Sequence, residues 1–240
     1  MSFFESRLRV DFENIEEVKK SLNFCEELGI KNLILEPKKA TPQIFSELKK
    51  EIENETVIQI FFRRNLKLGK VNEFKKALKQ LNKFPYILSI ETSNKEIQLQ
   101  AARDSRIDLI SFSDPTILRT LSEGVISLAK QNNSFLEFSL APIMIDNKAQ
   151  QSKNFRNLYR SIQMMRKARM NYVISGNFEN LYDLRNPRNL MSICYSLLGL
   201  PLFEAKKAFF EIPKMLIERS YNRQNKDIIE SGVKLIKGGD

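Results

Sequence analysis

Carboxylates and hydroxyls stand where several short apolar runs of this chain end: Asp11, Glu36, Glu91, Ser113 with Asp114, Ser139, and Ser175 with Asn177. Carboxylate oxygens could hold a magnesium ion, with Asp11, Glu36 and Glu91 as the obvious trio, although isolated acids at such positions usually act as caps and ion-pair partners. The 240 residues include no histidine. That removes the usual general base, the Ser-His and Cys-His nucleophile arrangements, and imidazole ligands for zinc. Neither GxGxxG nor GxxxxGK[ST] occurs, so a phosphate-cradling glycine loop is missing as well. An active site of its own is not what these residues advertise.

A different chemistry is offered by NFRNLYRSIQMMRKARMN, residues 154–171, which carries five basic side chains and no acid. On a helical wheel Phe155, Leu158, Tyr159, Ile162 and Met165 share one side, while Lys153, Arg156, Arg160 and Lys167 cluster opposite with Gln163 beside them. Cations at i and i+4 repel each other by a few tenths of a kcal/mol. A helix that accepts this without acidic relief is suited to an anionic partner; the bland alternative is an ordinary solvated face. Arg166 and Arg169 fit worse, falling near the apolar side. Arg63 and Arg64 could extend the patch, as could Arg185 and Arg188 in LRNPR, and Lys206, Lys207, Lys214, Arg219 and Arg223. Most of the 17 Phe sit at core-phased positions and there is no Trp, so phosphate contact is favoured over base stacking.

The bulk properties agree with a folded, cationic body. Hydrophobic residues make up 42% of the chain and the net charge is +10, which points to a polyanion or to solubility alone. Cys25 and Cys194 lie in apolar helical surroundings and read as buried thiols. MSFFESRLRVDF has no long apolar core for a signal peptide, and no apolar run approaches the ~20 residues that span a bilayer, so a cytoplasmic protein with no membrane partner is expected.

The elements that must position these residues alternate. RLRVDF (7–12), KNLILE (31–36), TVIQIFF (56–62), YILSIE (86–91), DLISFS (108–113), SFLEFSL (134–140) and NYVISG (171–176) read as strands. Between them lie helical patterns over 15–29, 41–53, 71–82, 95–105, 114–131 and the basic segment, followed by 186–199 and a last helix from about Pro201. Thr41 reads as an N-cap with Pro42 in the first turn, and Gly29 as a helix stop. Strands recurring every ~25–30 residues with helical crossovers imply a parallel sheet. A TIM-like (β/α) barrel, incomplete or distorted, is favoured over a doubly wound sheet because no break marks a switch point. The expected division is one barrel domain over 1–220 and a C-terminal tail over 221–240.

Residues 134–220 carry a family resemblance. FLEFSLAPIM, FRNLYRSIQMMRKARMNYVISGN, LRNPRNLMSICYSLLGLP and EAKKAFFEIPKMLIERS, in this order and spacing, resemble the ribonuclease P protein family called component 3 in archaea. Its eukaryotic relative is the thirty-kilodalton subunit shared by ribonucleases P and MRP. YVISGN departs from the Ser-Ser-Gly that often ends this strand in the family, having one Ser and Asn177 after Gly176. The resemblance implies a barrel related to the PHP phosphoesterases without their metal site, and a protein that binds no cofactor itself. In ribonuclease P the RNA subunit cleaves precursor tRNA to make the mature 5′ end, using magnesium bound to RNA. The expected partners are therefore that RNA, precursor tRNA through the holoenzyme, component 2 and the other protein subunits. Lys153, Arg156, Arg160, Lys167, Arg185, Arg188, Arg63 and Arg64 are the candidates for RNA or partner contact. The rival readings are a carboxylate-metal phosphoesterase barrel and a purely protein-assembly subunit.

Overall fold

Seven strands run parallel and neighbour one another in chain order in the computed structural model, which describes residues 3–39, 50, 52, 56–81, 84–178, 180–224, 228–230 and 233–234. They are β1 (Phe4–Val10), β2 (Asn32–Pro37), β3 (Gln59–Lys67), β4 (Ile87–Glu91), β5 (Leu109–Ser111), β6 (Phe135–Ser139) and β7 (Tyr172–Ser175). The described helices are α1 (Ile15–Glu27), α2 (Val71–Gln80), α3 (Lys95–Arg103), α4 (Pro115–Leu118), α5 (Glu123–Gln131), α6 (Lys148–Ala168), α7 (Pro187–Ser196), α8 (Leu202–Phe209) and α9 (Glu211–Gln224). This is the expected α/β TIM-like barrel, with seven strands. No described helix is long and apolar enough to cross a membrane.

The two-residue period of a strand divides its side chains between two faces. Leu33, Leu35, Ile60, Phe62, Leu88, Ile90, Ile110, Leu136, Phe138 and Ile174 face the helices and form the main core with residues such as Val18, Leu22, Ile97, Val125 and Ile162. On the opposite face Ile34, Phe61, Ile87, Leu109, Phe135 and Val173 make a second cluster with Ile212, Leu216 and Ile217 of α9. So α9 packs its apolar side beneath the barrel. Two residues further along the same inward face come Glu36, Arg63, Ser89, Ser111, Glu137 and Ser175, all buried.

Several element boundaries differ from the sequence pattern. β1 starts earlier than 7–12 and β3 runs through Arg63, Arg64 and Asn65 to Lys67, because charges that read as loop are paired inside the barrel. The 114–131 segment is two helices, with the Asp114 side chain capping the first and Ser122 the second. The last helix is also two, and Pro213, which has no N–H to extend the α8 ladder, sits in the first turn of α9. α9 continues to Gln224, past residue 220, and β8 (Ile228–Glu230) and β9 (Val233–Lys234) pair antiparallel in the tail. The start of the expected 41–53 helix, with Thr41 and Pro42, lies outside the described residues. Cys25 and Cys194 are buried free thiols.

Among the described residues no backbone ladder joins β7 to β1. α8 packs against both strands at that seam. An irregularity in β1 between Glu5 and Leu8 turns the Glu5 carboxylate across the gap, where Oε1 accepts from the Gly176 N–H at 3.0 Å and from the Arg7 N–H at 3.0 Å. Gly176 is required by close approach: a Cβ there would lie 2.5 Å from the Phe178 ring and 2.8 Å from Glu5 Oε2.

Candidate functional site

The barrel centre holds an ion cluster. Arg7 places Nε 2.8 Å from Glu36 Oε2 and one terminal nitrogen 2.9 Å from Glu36 Oε1 and 2.8 Å from Glu91 Oε2. Arg63 grips Glu137 with both terminal nitrogens, at 2.7 and 2.9 Å, and its Nε lies 3.0 Å from Glu36 Oε2. The two Nε approaches are close ion pairs without directed hydrogen bonds. Ser111 accepts from Arg7 at 3.1 Å, Ser89 from Arg63 at 3.1 Å, and Asn65 donates to Glu91 at 2.7 Å. Both arginines and Glu137 are essentially inaccessible to solvent. Burial pushes the Glu137 carboxyl up, but Arg63 and Arg7 outweigh it and hold the group down at about 2.

This arrangement bears on the carboxylates that could have formed a magnesium trio. Glu36 and Glu91 do converge, but on guanidinium nitrogens, while Asp11 is elsewhere, 3.3 Å from Lys39. Glu137, which the trio omitted, is the third carboxylate of the centre. The donor set would suit a divalent cation in chemistry. Its oxygens are instead spent on two guanidiniums, which need this counter-charge to be buried at all. Arg63 is corrected: wholly buried and paired, it cannot reach a surface phosphate.

Glu5 is different. It is buried beside Glu137 with only N–H donors for company, and loss of solvation raises its pKa to about 7, Glu137 reinforcing the shift while the Arg7 and Gly176 N–H groups oppose it. The folded state thus holds this proton more tightly than the unfolded chain. Stability from Glu5 is fully present below about pH 4.5 and is lost as pH rises through about 7. Glu5→Gln, which keeps an oxygen for Gly176, is expected to be more stable than the parent at pH 8 by up to about 3 kcal/mol and to flatten the pH dependence in that window. Thermal unfolding at a series of pH values checks this; an unchanged slope between about pH 5 and 8 would contradict it.

The barrel mouth opens above this cluster as a cavity of about 520 Å³ lined by Arg7, Arg9, Lys67, Asn177 and Asn180 among others. Arg64 does not line that cavity; it is half-buried, with its guanidinium 5.9 Å from the centre of the Phe84 ring. Outside the barrel, α6 begins earlier than expected, where Asn147 caps Gln150, and ends on Arg169 in the left-handed conformation at φ 51. Lys153, Arg156, Arg160 and Lys167 are all exposed and make no ion pair among the described residues. Leu158, Ile162 and Met165 are buried on the other side. Arg166, awkward on the wheel, pairs with Glu204 of α8 at 2.7 Å. Arg185 and Arg188 are exposed beside the start of α7; Arg185 donates to the Tyr182 and Leu184 carbonyls at 2.7 and 2.9 Å. Arg219 and Arg223 leave the patch: Arg223 pairs with Asp108 at 2.9 Å, and Arg219 donates to the Asn132 carbonyl, tying α9 to the barrel floor.

Sequence reasoning missed two things. Glu5, Arg7 and Glu137 interrupt the apolar runs FESRLRV and FLEFS, and charges of both signs on one strand face were the available signal. Exposed aromatics were missed too, since Tyr159, Tyr182, Tyr195, Phe203 and Tyr221 range from 42% to 85% exposed.

Comparison with known proteins places this geometry. A model of the family described as RNase P subunit p30 matches residues 5–225. Among solved structures, one chain of an archaeal ribonuclease P with mature tRNA, determined by cryo-EM, is 18% identical with a TM-score of 0.75 and 99% coverage of both chains. The A. niger ochratoxinase is 8% identical, with a TM-score of 0.61 over 90% of this chain and 71% of that one. A putative prolidase from Bifidobacterium longum is also 8% identical, with a TM-score of 0.60 over 91% and 70%. At such identities these likenesses show the fold alone. No curated protein is similar to the chain in sequence.

Proposed function

The chain belongs to the RNase P subunit p30 family, and we propose from that premise that it is a protein subunit of ribonuclease P without an active site of its own. It assists the RNA subunit in removing the 5′ leader of precursor tRNA. The observation that carries this is the pairing of Glu36, Glu91 and Glu137 with Arg7 and Arg63 at the position where a barrel enzyme gathers its catalytic groups. With those carboxylates committed to internal ion pairs, the chemically available surface is the cationic side of α6. A PHP-like ancestry is part of this reading, with the guanidiniums of Arg7 and Arg63 occupying the barrel centre.

In this reading Lys153, Arg156, Arg160 and Lys167 neutralise RNA phosphates, and Arg188 adds a cation at the start of α7. Folding a polyanion requires counter-charge, and a rigid row of cations supplies it without recruiting further ions from solution. Magnesium for the cleavage stays with the RNA. A second protein subunit, component 2 in the archaeal nomenclature, docks beside it. The phosphoesterase alternative lacks its trio, since Asp11 is paired with Lys39.

The test is co-purification of the tagged chain from the cytoplasm of its own cells. Ribonuclease P RNA, further protein subunits and activity on precursor tRNA are expected in the eluate. Recovery of the chain with no RNA and no such activity would refute the reading.

A further inference from the structure

At the C-terminal end of α6 a cleft of about 230 Å³ opens between that helix and α8. Met165, Met170, Ala208 and Ile212 give it an apolar floor. Phe203 stands at its rim, 69% exposed, an unusual place to leave a phenyl ring uncovered. Tyr172 lies in the wall with its ring edge-on to Phe138 at 6.0 Å. Its hydroxyl is buried and has no hydrogen-bond partner among the described residues. Beside it the Glu204 carboxylate is held at 2.7 Å by Arg166, leaving acceptor capacity toward the cleft. Arg169 and Lys207 flank the opening, exposed and making no ion pair among the described residues.

These features ask for a planar ring with a polar edge and an anionic attachment. The volume is below the ~300–1,000 Å³ of sites for drug-sized ligands, so a single ring system is what fits. We propose that the cleft receives one unstacked RNA base. The Phe203 ring packs on its face, the Glu204 carboxylate meets its hydrogen-bonding edge, and Arg169 and Lys207 pair with the flanking phosphates. This deepens the RNA-binding reading above and rests on it. It also adds base stacking to the phosphate contact that the sequence favours.

Binding of the full chain to three probes separates base from backbone: a short single-stranded RNA, the same strand in a duplex, and an abasic ribose-phosphate strand of equal length. Phe203→Ala, whose side chain is exposed, is expected to keep the thermal unfolding of the parent and to weaken the single strand by about tenfold or more. The duplex and abasic strand should be unaffected. Equal losses on all three probes, or no loss on the single strand, would overturn the proposal. So would Phe203→Ala particles that keep RNA affinity but shed a protein subunit, which would make the cleft a protein site. A base-dependent loss in a chain that co-purifies with no ribonuclease P RNA would leave the cleft standing and remove the assignment to that particle.

Discussion

Arg63→Met is expected to destabilise the barrel by about 3–5 kcal/mol, because it leaves Glu137 and Glu36 buried without one of their two guanidiniums. In a domain of this size each kcal/mol moves the midpoint by roughly 2–4 °C, so thermal unfolding should fall by on the order of 10 °C. The Ser89 hydroxyl, which accepts from Arg63 at 3.1 Å, loses a partner as well. Adding Glu137→Leu removes the stranded carboxylate and returns the cluster to its original net charge. The double variant should therefore recover much of the loss, since apolar replacement of a whole buried pair is often neutral. Unchanged stability in the single variant, or a double variant with additive losses, would mean that the cluster is hydrated and loosely held.

Replacing Arg156, Arg160 and Lys167 together by Gln should do the reverse, sparing the fold and weakening RNA binding. All three are exposed and make no ion pair among the described residues, and Gln retains good helix propensity. For each phosphate that is no longer neutralised, the slope of log affinity against log salt should flatten by about 0.7–0.9. Titrations of the particle's RNA at several salt concentrations read this directly. A slope equal to the parent's would return the helix to the class of ordinary solvated faces, and a lower melting point would place these side chains inside a packed interface.

The strand and helix alternation was legible because outward-facing residues such as Leu33, Leu35, Leu136 and Phe138 follow the period of two wherever a helix covers them. The inward face was not. Ile34 and Glu36, Phe61 and Arg63, Phe135 and Glu137 alternate between floor and ion cluster, so a charge in a strand looks like a strand end until its partner from another strand is known. Pairs such as Arg7 with Glu91 or Arg63 with Glu137 are separated by 84 and 74 residues, and only the barrel brings them together. The cationic face of α6 was readable, being a property of one helix. Arg166 was not, because Glu204 belongs to another element 38 residues away. The same holds for the cleft: Phe203 reads as core by its type, and its exposure depends on how α8 is laid across the seam between β7 and β1.

Precursor tRNA cleavage by the reconstituted particle, measured across magnesium concentrations with and without this chain, tests the assignment most directly. Adding the chain should shift the titration to lower magnesium, the Arg156, Arg160 and Lys167 variant should restore much of the higher requirement, and the chain alone should cleave nothing. Superimposable titrations with and without the chain, or metal-dependent cleavage by the chain in the absence of RNA subunit, would contradict it.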